Sequence, residues 1–175
     1  MNSNTKTKYE ILPWGDYFNT GIAEIDEQHK KWIGLLNLLA EHSNSNTDSI
    51  LLDTIFNELY AYTHYHFQTE EVIWQQFFPD DEWQAKHKNV HENFVLELNR
   101  LKAEKETTPL LQVVNNVLDF LVPWLAYHIL VSDKRMATIV LDIQAGMSLE
   151  HAKQYHEQDI ANYKPDNFSF KIPLN

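Results

Sequence analysis

Histidine and carboxylate side chains recur along this sequence at spacings typical of metal ligands on helices. They are His29, the His66/Glu70 and His87/His91 pairs, each four residues apart, and His128 with Asp133, five residues apart. A residue four positions along an α-helix turns through about 400° and rises about 6 Å, so both members of a pair leave one face. Five imidazoles and two carboxylates at one level of a helical bundle would complete the coordination of two metal ions.

Three loop-like segments divide the sequence into the helices that would position these groups. They are Ser43 to Asp48, Phe78 to Asp81 and Glu106 to Pro109. If the chain reverses at each segment, the ligand-type residues lie almost symmetrically about every turn. We therefore expect an all-α fold: an antiparallel up-down-up-down four-helix bundle with an N-terminal arm and a short C-terminal helical extension.

Residues at the segment ends indicate where the helices begin and end. The first helix is expected at about 22–41, the second after Asp48 as N-cap and before Pro79, and the third at about 82–104. The fourth is expected to open with Pro109 at its first position and Thr108 as its cap.

The fourth helix carries two irregular features. Pro123 cannot donate a hydrogen bond to the residue four positions back, so it predicts a kink one turn before His128. The five-residue offset from His128 to Asp133 is about 140° on a regular helix. Either Asp133 reaches sideways between two metals, or a π-bulge brings it onto the ligand face.

All seven ligand-type residues fall on inward apolar stripes. A lone histidine there is more often a hydrogen-bonded core residue than a ligand. Seven such groups left unpaired would each cost on the order of 1–3 kcal/mol, and metal coordination satisfies them together. The other histidines are interpreted as surface or capping residues: His42, His64, His151 and His156. The nearby acids are interpreted as non-ligands: Glu71 pointing elsewhere on its helix, and Asp26, Glu27 and Glu41 as solvated charge.

Composition limits the alternatives. At 175 residues with 43% hydrophobic content, the chain suits one well-filled core. A net charge of −11 argues against a nucleic-acid groove or an anionic membrane surface as partner. The absence of cysteine excludes disulfides, thiolate zinc sites and iron–sulfur clusters. We found no signal peptide and no run near the ~20 apolar residues that span a bilayer, so a cytoplasmic location is expected.

The bundle is expected to span residues 22–145. Residues 1–21 are interpreted as an arm across the bundle, anchored by Trp14, Tyr17 and Phe18. Residues 146–175 are interpreted as a tail, with a short capped helix from Ser148 to Tyr163 and an extended stretch from Asn167.

The ligand types favour binding over oxidation chemistry. Imidazole with a few carboxylates suits iron, copper or zinc, whereas oxygen-activating bundle sites are carboxylate-rich and carry Glu-x-x-His pairs, which are absent here. With Glu70 and Asp133 as bridges and one bridging oxygen, five imidazoles fill all but one remaining position. One open place on one iron suits a diatomic ligand.

Four motifs together resemble those of the bacterial hemerythrins. They are WGDYFNTGIAEIDEQH ending at His29, HFQTE at 66–70, HKNVH at 87–91 and HILVSD at 128–133. The resemblance covers about residues 11–140. It implies two oxo- or hydroxo-bridged iron ions, one held by His87, His91 and His128 and the other by His29 and His66, with Glu70 and Asp133 bridging. It also implies reversible dioxygen binding at the His29/His66 iron.

The same resemblance implies an oxygen pocket, although ordinary core packing explains each of its residues nearly as well. These residues are Trp32, Phe67, Trp124, Leu125 and Ile129. Two features depart from the family pattern: Pro123 stands next to the pocket, and the chain beyond about Val140 is longer than the minimal family domain.

The ligand set leaves three candidate functions. Reversible oxygen binding for carriage, storage or delivery leads, because every ligand position is filled and one metal position is open. A sensor that signals oxygen or iron redox state through the tail or a partner protein is the alternative; it calls for a separate signalling output. An oxidase or peroxidase is weakest, because no substrate acid–base group stands beside the metals.

Overall fold

The structure, a computed structural model, describes residues 10–43 and 48–161, and these ranges contain helices but no strand. The main helices are α1 (Ala23–Ser43), α2 (Ser49–Phe77), α3 (Glu82–Ala103), α4 (Leu110–Tyr127), α5 (Lys134–Gln144) and α6 (Leu149–Ala161). A π-helical segment (His128–Asp133) joins α4 to α5, and 3₁₀ turns cover Asp16–Phe18 and Glu104–Glu106. Helices α1 to α4 pack against one another as a helical bundle.

Aspartate side chains cap two of the helix starts, and one of these caps was predicted. The Asp48 carboxylate accepts a hydrogen bond from the Ile50 backbone N–H at 2.9 Å, which confirms it as the N-cap of α2. Asp81 does the same for α3, accepting from Trp83 N–H at 2.8 Å. Pro79 follows the end of α2, as expected.

The predicted Thr108 cap of α4 is wrong. The Thr108 N–H donates to the carbonyl of Glu104 at 2.8 Å, so Thr108 belongs to the turn that closes α3. Pro109 takes the N-cap position without a side-chain hydrogen bond, and its carbonyl accepts from Gln112 N–H at 2.9 Å. Proline suits this place because its missing N–H would have had no helical partner.

The π-helical segment decides between the two alternatives left open for Asp133. The helix continues through Pro123, and its hydrogen bonding becomes π-type from His128 to Asp133. Pairing of residues five apart brings His128 and Asp133 to the same face, so their ligand-type atoms, His128 Nε2 and Asp133 Oδ1, lie 3.0 Å apart.

Two hydrophobic clusters surround the polar site. The larger cluster draws on α1 to α4 and includes Trp32, Phe67 and Phe94. The smaller one joins the end of α2 and the start of α3 to α5 and α6 through Trp74, Trp83, Met136 and Ala152. The start of the C-terminal extension is therefore part of the packed core, as far as Ala152 of α6.

Two of the three expected aromatic residues, Trp14 and Phe18, anchor the N-terminal arm, together with Leu12. Phe18 is fully buried as predicted, but Tyr17 is 47% exposed and Leu12 is fully buried. Asn37 of α1 holds Leu12 from both sides, accepting from its N–H at 3.0 Å and donating to its carbonyl at 2.8 Å. Trp14 stacks on Phe18 with ring centroids 5.4 Å apart.

Asp26 is buried, so its interpretation as solvated charge is wrong. Its carboxylate accepts hydrogen bonds from the N–H and hydroxyl of Thr20 at 2.6 and 2.7 Å and from Gly21 N–H at 3.2 Å. Gly21 has φ of 91°, a conformation that glycine adopts without strain. Asp26 therefore fixes the turn through which the arm enters α1.

The predicted tail helix begins at Leu149, with the Ser148 hydroxyl accepting from His151 N–H at 3.3 Å. The extended stretch from Asn167 lies outside the described residues.

One segment passes a composition test for membrane spans, contrary to the expectation that none would. Leu110–Gln144 is long and apolar enough to cross a bilayer by length and composition alone. However, 56% of its most apolar window is buried inside the bundle. That burial is typical of a core helix.

Candidate metal centre

The structure brings all seven predicted ligand-type residues together in the bundle interior. Helix α1 supplies one, α2 and α3 two each, and the π-helical segment two. None is more than 4% exposed: His29, His66, Glu70, His87, His91, His128 and Asp133.

These side chains form two overlapping groups. In each group the ligand-type atoms all lie within 4.8 Å of one another. We call the first the three-histidine half, which contains His87, His91 and His128. The second is the two-histidine half, which contains His29 and His66. Glu70 and Asp133 belong to both halves.

Each shared carboxylate presents a different oxygen to each half. Glu70 Oε1 faces His29 and His66 at 3.8 and 3.6 Å. Glu70 Oε2 faces His87 and His91 at 3.3 and 3.2 Å. The two oxygens of one carboxylate are therefore divided between two nitrogen sets, which is the arrangement of a bridging ligand.

Asp133 repeats this division. Its Oδ2 faces His29 Nε2 at 3.3 Å, while its Oδ1 faces His87 and His128 Nε2 at 3.4 and 3.0 Å. All five histidines thus present Nε2 to the carboxylates. Every ion-pair contact of Glu70 and Asp133 among the described residues is with a histidine, so no lysine or arginine neutralises them there.

The protein alone leaves much of this cluster without hydrogen bonds. Buried atoms lacking a partner in the described structure include His29 Nε2, His66 Nε2, Glu70 Oε1 and both Asp133 oxygens. Unpaired buried polar atoms cost on the order of 1–3 kcal/mol each, more when charged. Because these atoms converge on two points, cations at those points would satisfy them, and the imidazole–carboxylate donor set suits iron.

Burial and mutual contact shift the pKa values in opposite directions. Burial lowers the pKa of His66 to about 3. Burial also acts to lower the pKa of His91, but its contacts with the Glu70 and Glu71 carboxylates outweigh burial and raise that pKa to about 9. Burial and the neighbouring Glu70 raise the pKa of Asp133. Metal binding would override these pKa differences, because each nitrogen that binds a metal must be deprotonated.

Two outer contacts were missed or misread from the sequence. Gln28 Oε1 lies 3.0 Å from His66 Nδ1, a contact that the sequence pattern did not predict. Glu71 was expected to point elsewhere, yet its Oε1 lies 3.5 Å from His91 Nδ1. The available signal was position: Gln28 precedes a ligand on α1, and Glu71 follows one on α2, so each sits beside the ligand face.

Aromatic rings enclose the cluster. Phe67 stacks on His91 with centroids 3.7 Å apart and planes at 5°, and Trp124 stacks on His128 at 4.2 Å and 20°. Trp32 lies 4.9 Å from His66. Leu125 and Ile129, the other predicted pocket residues, are buried in the same hydrophobic cluster.

The histidines interpreted as non-ligands lie outside both halves. His64 and His151 are exposed. His156 Nε2 lies 2.7 Å from Asp142 Oδ2, which joins α6 to α5.

The fold and the cluster define a class: helical-bundle proteins with a buried histidine–carboxylate cluster that could hold metal. Residues 20–140 match the family described as the Hemerythrin HHE cation binding domain. The chain belongs to this hemerythrin family.

Curated relatives agree with this assignment. The chain is 30% identical to the bacteriohemerythrin of Pseudomonas paraeruginosa over 118 residues, covering 67% of this chain and 74% of the relative. It is 27% identical to the bacteriohemerythrin of Clostridium acetobutylicum over 133 residues, covering 71% and 97%. It is 30% identical to a hemerythrin-like protein of Naegleria gruberi over 122 residues, covering 70% and 87%.

Proposed function

We propose that this protein binds dioxygen reversibly at a di-iron centre, for oxygen carriage, storage or delivery. The observation that carries the proposal is the division of the Glu70 and Asp133 oxygens between two sets of imidazoles. When bound, two iron ions would supply the two electrons that reversible oxygen binding requires. Family membership supports the choice of metal.

The ligand assignment follows the two halves. His87, His91 and His128 would hold one iron, and His29 and His66 the other. The two carboxylates would serve both irons. The two-histidine half has one imidazole fewer, so it is the half with room for an exchangeable ligand.

The surrounding side chains would keep water from this position. Trp32 is fully buried beside His66, and Phe67 is 4% exposed. Together with Trp124, Leu125 and Ile129 they form the proposed oxygen pocket. Dry surroundings disfavour loss of charged oxygen species to solvent, which favours release of dioxygen unchanged.

The architecture and setting are also part of the proposal. Short connections between neighbouring helices support an up-down-up-down bundle over residues 22–145, flanked by the arm (1–21) and the extension (146–175). We place the protein in the cytoplasm and assign it binding rather than catalysis. Steady oxidation of a reductant by oxygen, many turnovers per chain, would contradict the non-enzymatic role.

The test is one cycle of oxygen addition and removal. Purified protein is reduced without air, its iron is counted, and its visible spectrum is followed as oxygen is added and then withdrawn. We expect two irons per chain and a charge-transfer colour that appears and bleaches repeatedly. Prompt irreversible oxidation would contradict reversible binding.

One observation favours the sensor alternative. Lys153 of α6 contacts Asp81, the N-cap of α3, at 2.7 Å, and His156 contacts Asp142 of α5. Helix α6 thus contacts the start of α3, which carries His87, and also α5, which follows Asp133. A sensor predicts that proteolysis of α6 differs between the reduced and oxidised forms; a carrier predicts equal cleavage.

A further inference from the structure

We propose that outer contacts of unequal charge make the two halves electronically unequal: neutral Gln28 lies behind His66, and anionic Glu71 lies behind His91. Gln28 and Glu71 act as positioning residues, because they touch ligands and not the metals. This inference rests on the proposed di-iron function and deepens it.

Gln28 is held in one orientation by a relay across α1 and α2. The Thr69 hydroxyl donates to the Tyr65 carbonyl at 3.1 Å, so its oxygen is left to accept from Gln28 Nε2, also at 3.1 Å. This fixes Gln28 Oε1 toward His66, 3.0 Å from Nδ1. His66 must therefore carry its proton on Nδ1, which leaves the Nε2 lone pair facing the carboxylates.

Glu71 differs from Gln28 in both charge and surroundings. Lys88 Nζ lies 3.9 Å from the second oxygen of Glu71, and a carboxyl group this open to solvent is ionised at neutral pH. Its side chain is 30% exposed, in an open groove of about 650 Å³ between α2 and α3. Gln28, by contrast, is 5% exposed.

Glu71 is the acceptor available to His91. At 3.5 Å the contact is longer than an ordinary N–H···O hydrogen bond, and His91 Nδ1 is buried with no hydrogen-bond partner in the described structure. The flat stack of Phe67 at 3.7 Å sets the plane of the His91 ring. A small approach of Glu71 therefore completes the bond without turning the imidazole.

The difference in partner charge has a direct electronic consequence. A carboxylate behind an imidazole raises its basicity as a ligand, and a neutral amide does so less. His91 is therefore the stronger donor of the two. The three-histidine half should favour the more oxidised metal, and the two-histidine half the more reduced one.

Three variants separate this effect from its alternatives. Glu71→Gln makes the groups behind His66 and His91 equal in charge, since both are then neutral amides. Glu92→Gln removes the same charge from the same groove, where Glu92 is exposed, and serves as the matched control. Gln28→Glu introduces a carboxylate behind His66. For each iron-loaded protein we would measure the midpoint potential, the rate of iron release to a chelator and the thermal unfolding midpoint.

We expect Glu71→Gln to shift the potential positive and to speed iron release about tenfold, with the unfolding midpoint unchanged. Glu92→Gln should leave the midpoint potential and the rate of iron release near their wild-type values. Gln28→Glu should shift the midpoint potential negative. If Glu71→Gln and Glu92→Gln behave alike, the inference is overturned, whether or not Gln28→Glu folds. The proposed function would still stand in that case if the wild-type protein holds two irons and binds oxygen reversibly. Failure of the wild-type protein to hold two irons would overturn both the inference and the proposed function.

Discussion

The two halves of the candidate metal centre share two carboxylates but are built differently. Helix α3 and the π-helical segment supply three imidazoles to one half, two of them covered by stacked rings. Helices α1 and α2 supply one imidazole each to the other, beside the tilted ring of Trp32. The comparison teaches that helix geometry sets the number of imidazoles in each half: an i,i+4 pair of histidines joined by His128 gives three, and two single histidines give two.

Removing a shared carboxylate should have the largest effect. Glu70→Ala deletes a ligand-type group that faces four histidines, two in each half. We expect loss of most iron from both halves and of all oxygen-dependent colour, measured by metal analysis after dialysis against a chelator. Glu92→Gln is the control and should keep its iron. Retention of one tightly held iron by Glu70→Ala would show that Glu70 serves one half only.

Removing single histidines should expose the inequality of the halves. His29→Ala leaves the two-histidine half with one imidazole, whereas His128→Ala leaves the other with two. We expect His29→Ala to retain about one iron per chain and His128→Ala to retain more. Iron content of the two variants, purified side by side, checks this. Equal losses would mean that the halves bind metal as one unit.

How far the sequence predicted this centre can be judged from particular residues. The spacing of His66 and Glu70 predicted a shared face because helix periodicity is local and strong. Asp48 was predictable as a cap because capping is also local: its side chain accepts from the N–H two residues further on. The contacts of Gln28 with His66 and of Glu71 with His91 were not predicted, because they depend on how two helices are rotated against each other.

The same distinction explains the errors elsewhere in the fold. Thr108 and Pro109 both suit a helix start. Thr108 is not the cap because its N–H already donates to the Glu104 carbonyl in the turn after α3, so Pro109 takes the N-cap position. Asp26 resembles a surface acid, yet Thr20 and Gly21 reach it through a turn six residues earlier. The five-residue gap to Asp133 left two options, and packing selected the π-helical one.

Ring truncations should distinguish the surroundings of the two halves. Trp32→Ala and Phe67→Ala each remove a buried ring and should cost about 3–5 kcal/mol of unfolding free energy. Trp32 lies beside His66, so its loss should shorten the lifetime of the oxygen complex more than loss of Phe67, which stacks on His91. Denaturant unfolding and autoxidation rates check both effects. Equal lifetimes would contradict the placement of the exchangeable position in the two-histidine half.

The smallest effect is expected from the extension. Lys153→Met removes the contact with Asp81 but keeps most of the apolar stem beside Trp83. We expect a loss of about 1 kcal/mol in unfolding free energy, with iron content and oxygen binding unchanged in both halves. Altered oxygen affinity in this variant would support coupling of α6 to the centre and thus the sensor alternative.

The most direct test of the central claim is anomalous diffraction at the iron edge from crystals of the iron-loaded protein. The account predicts two iron peaks, one among His87, His91 and His128 and the other beside His29 and His66, with Glu70 and Asp133 each contacting both. A single peak, or two peaks with both carboxylates bound to one iron, would contradict it.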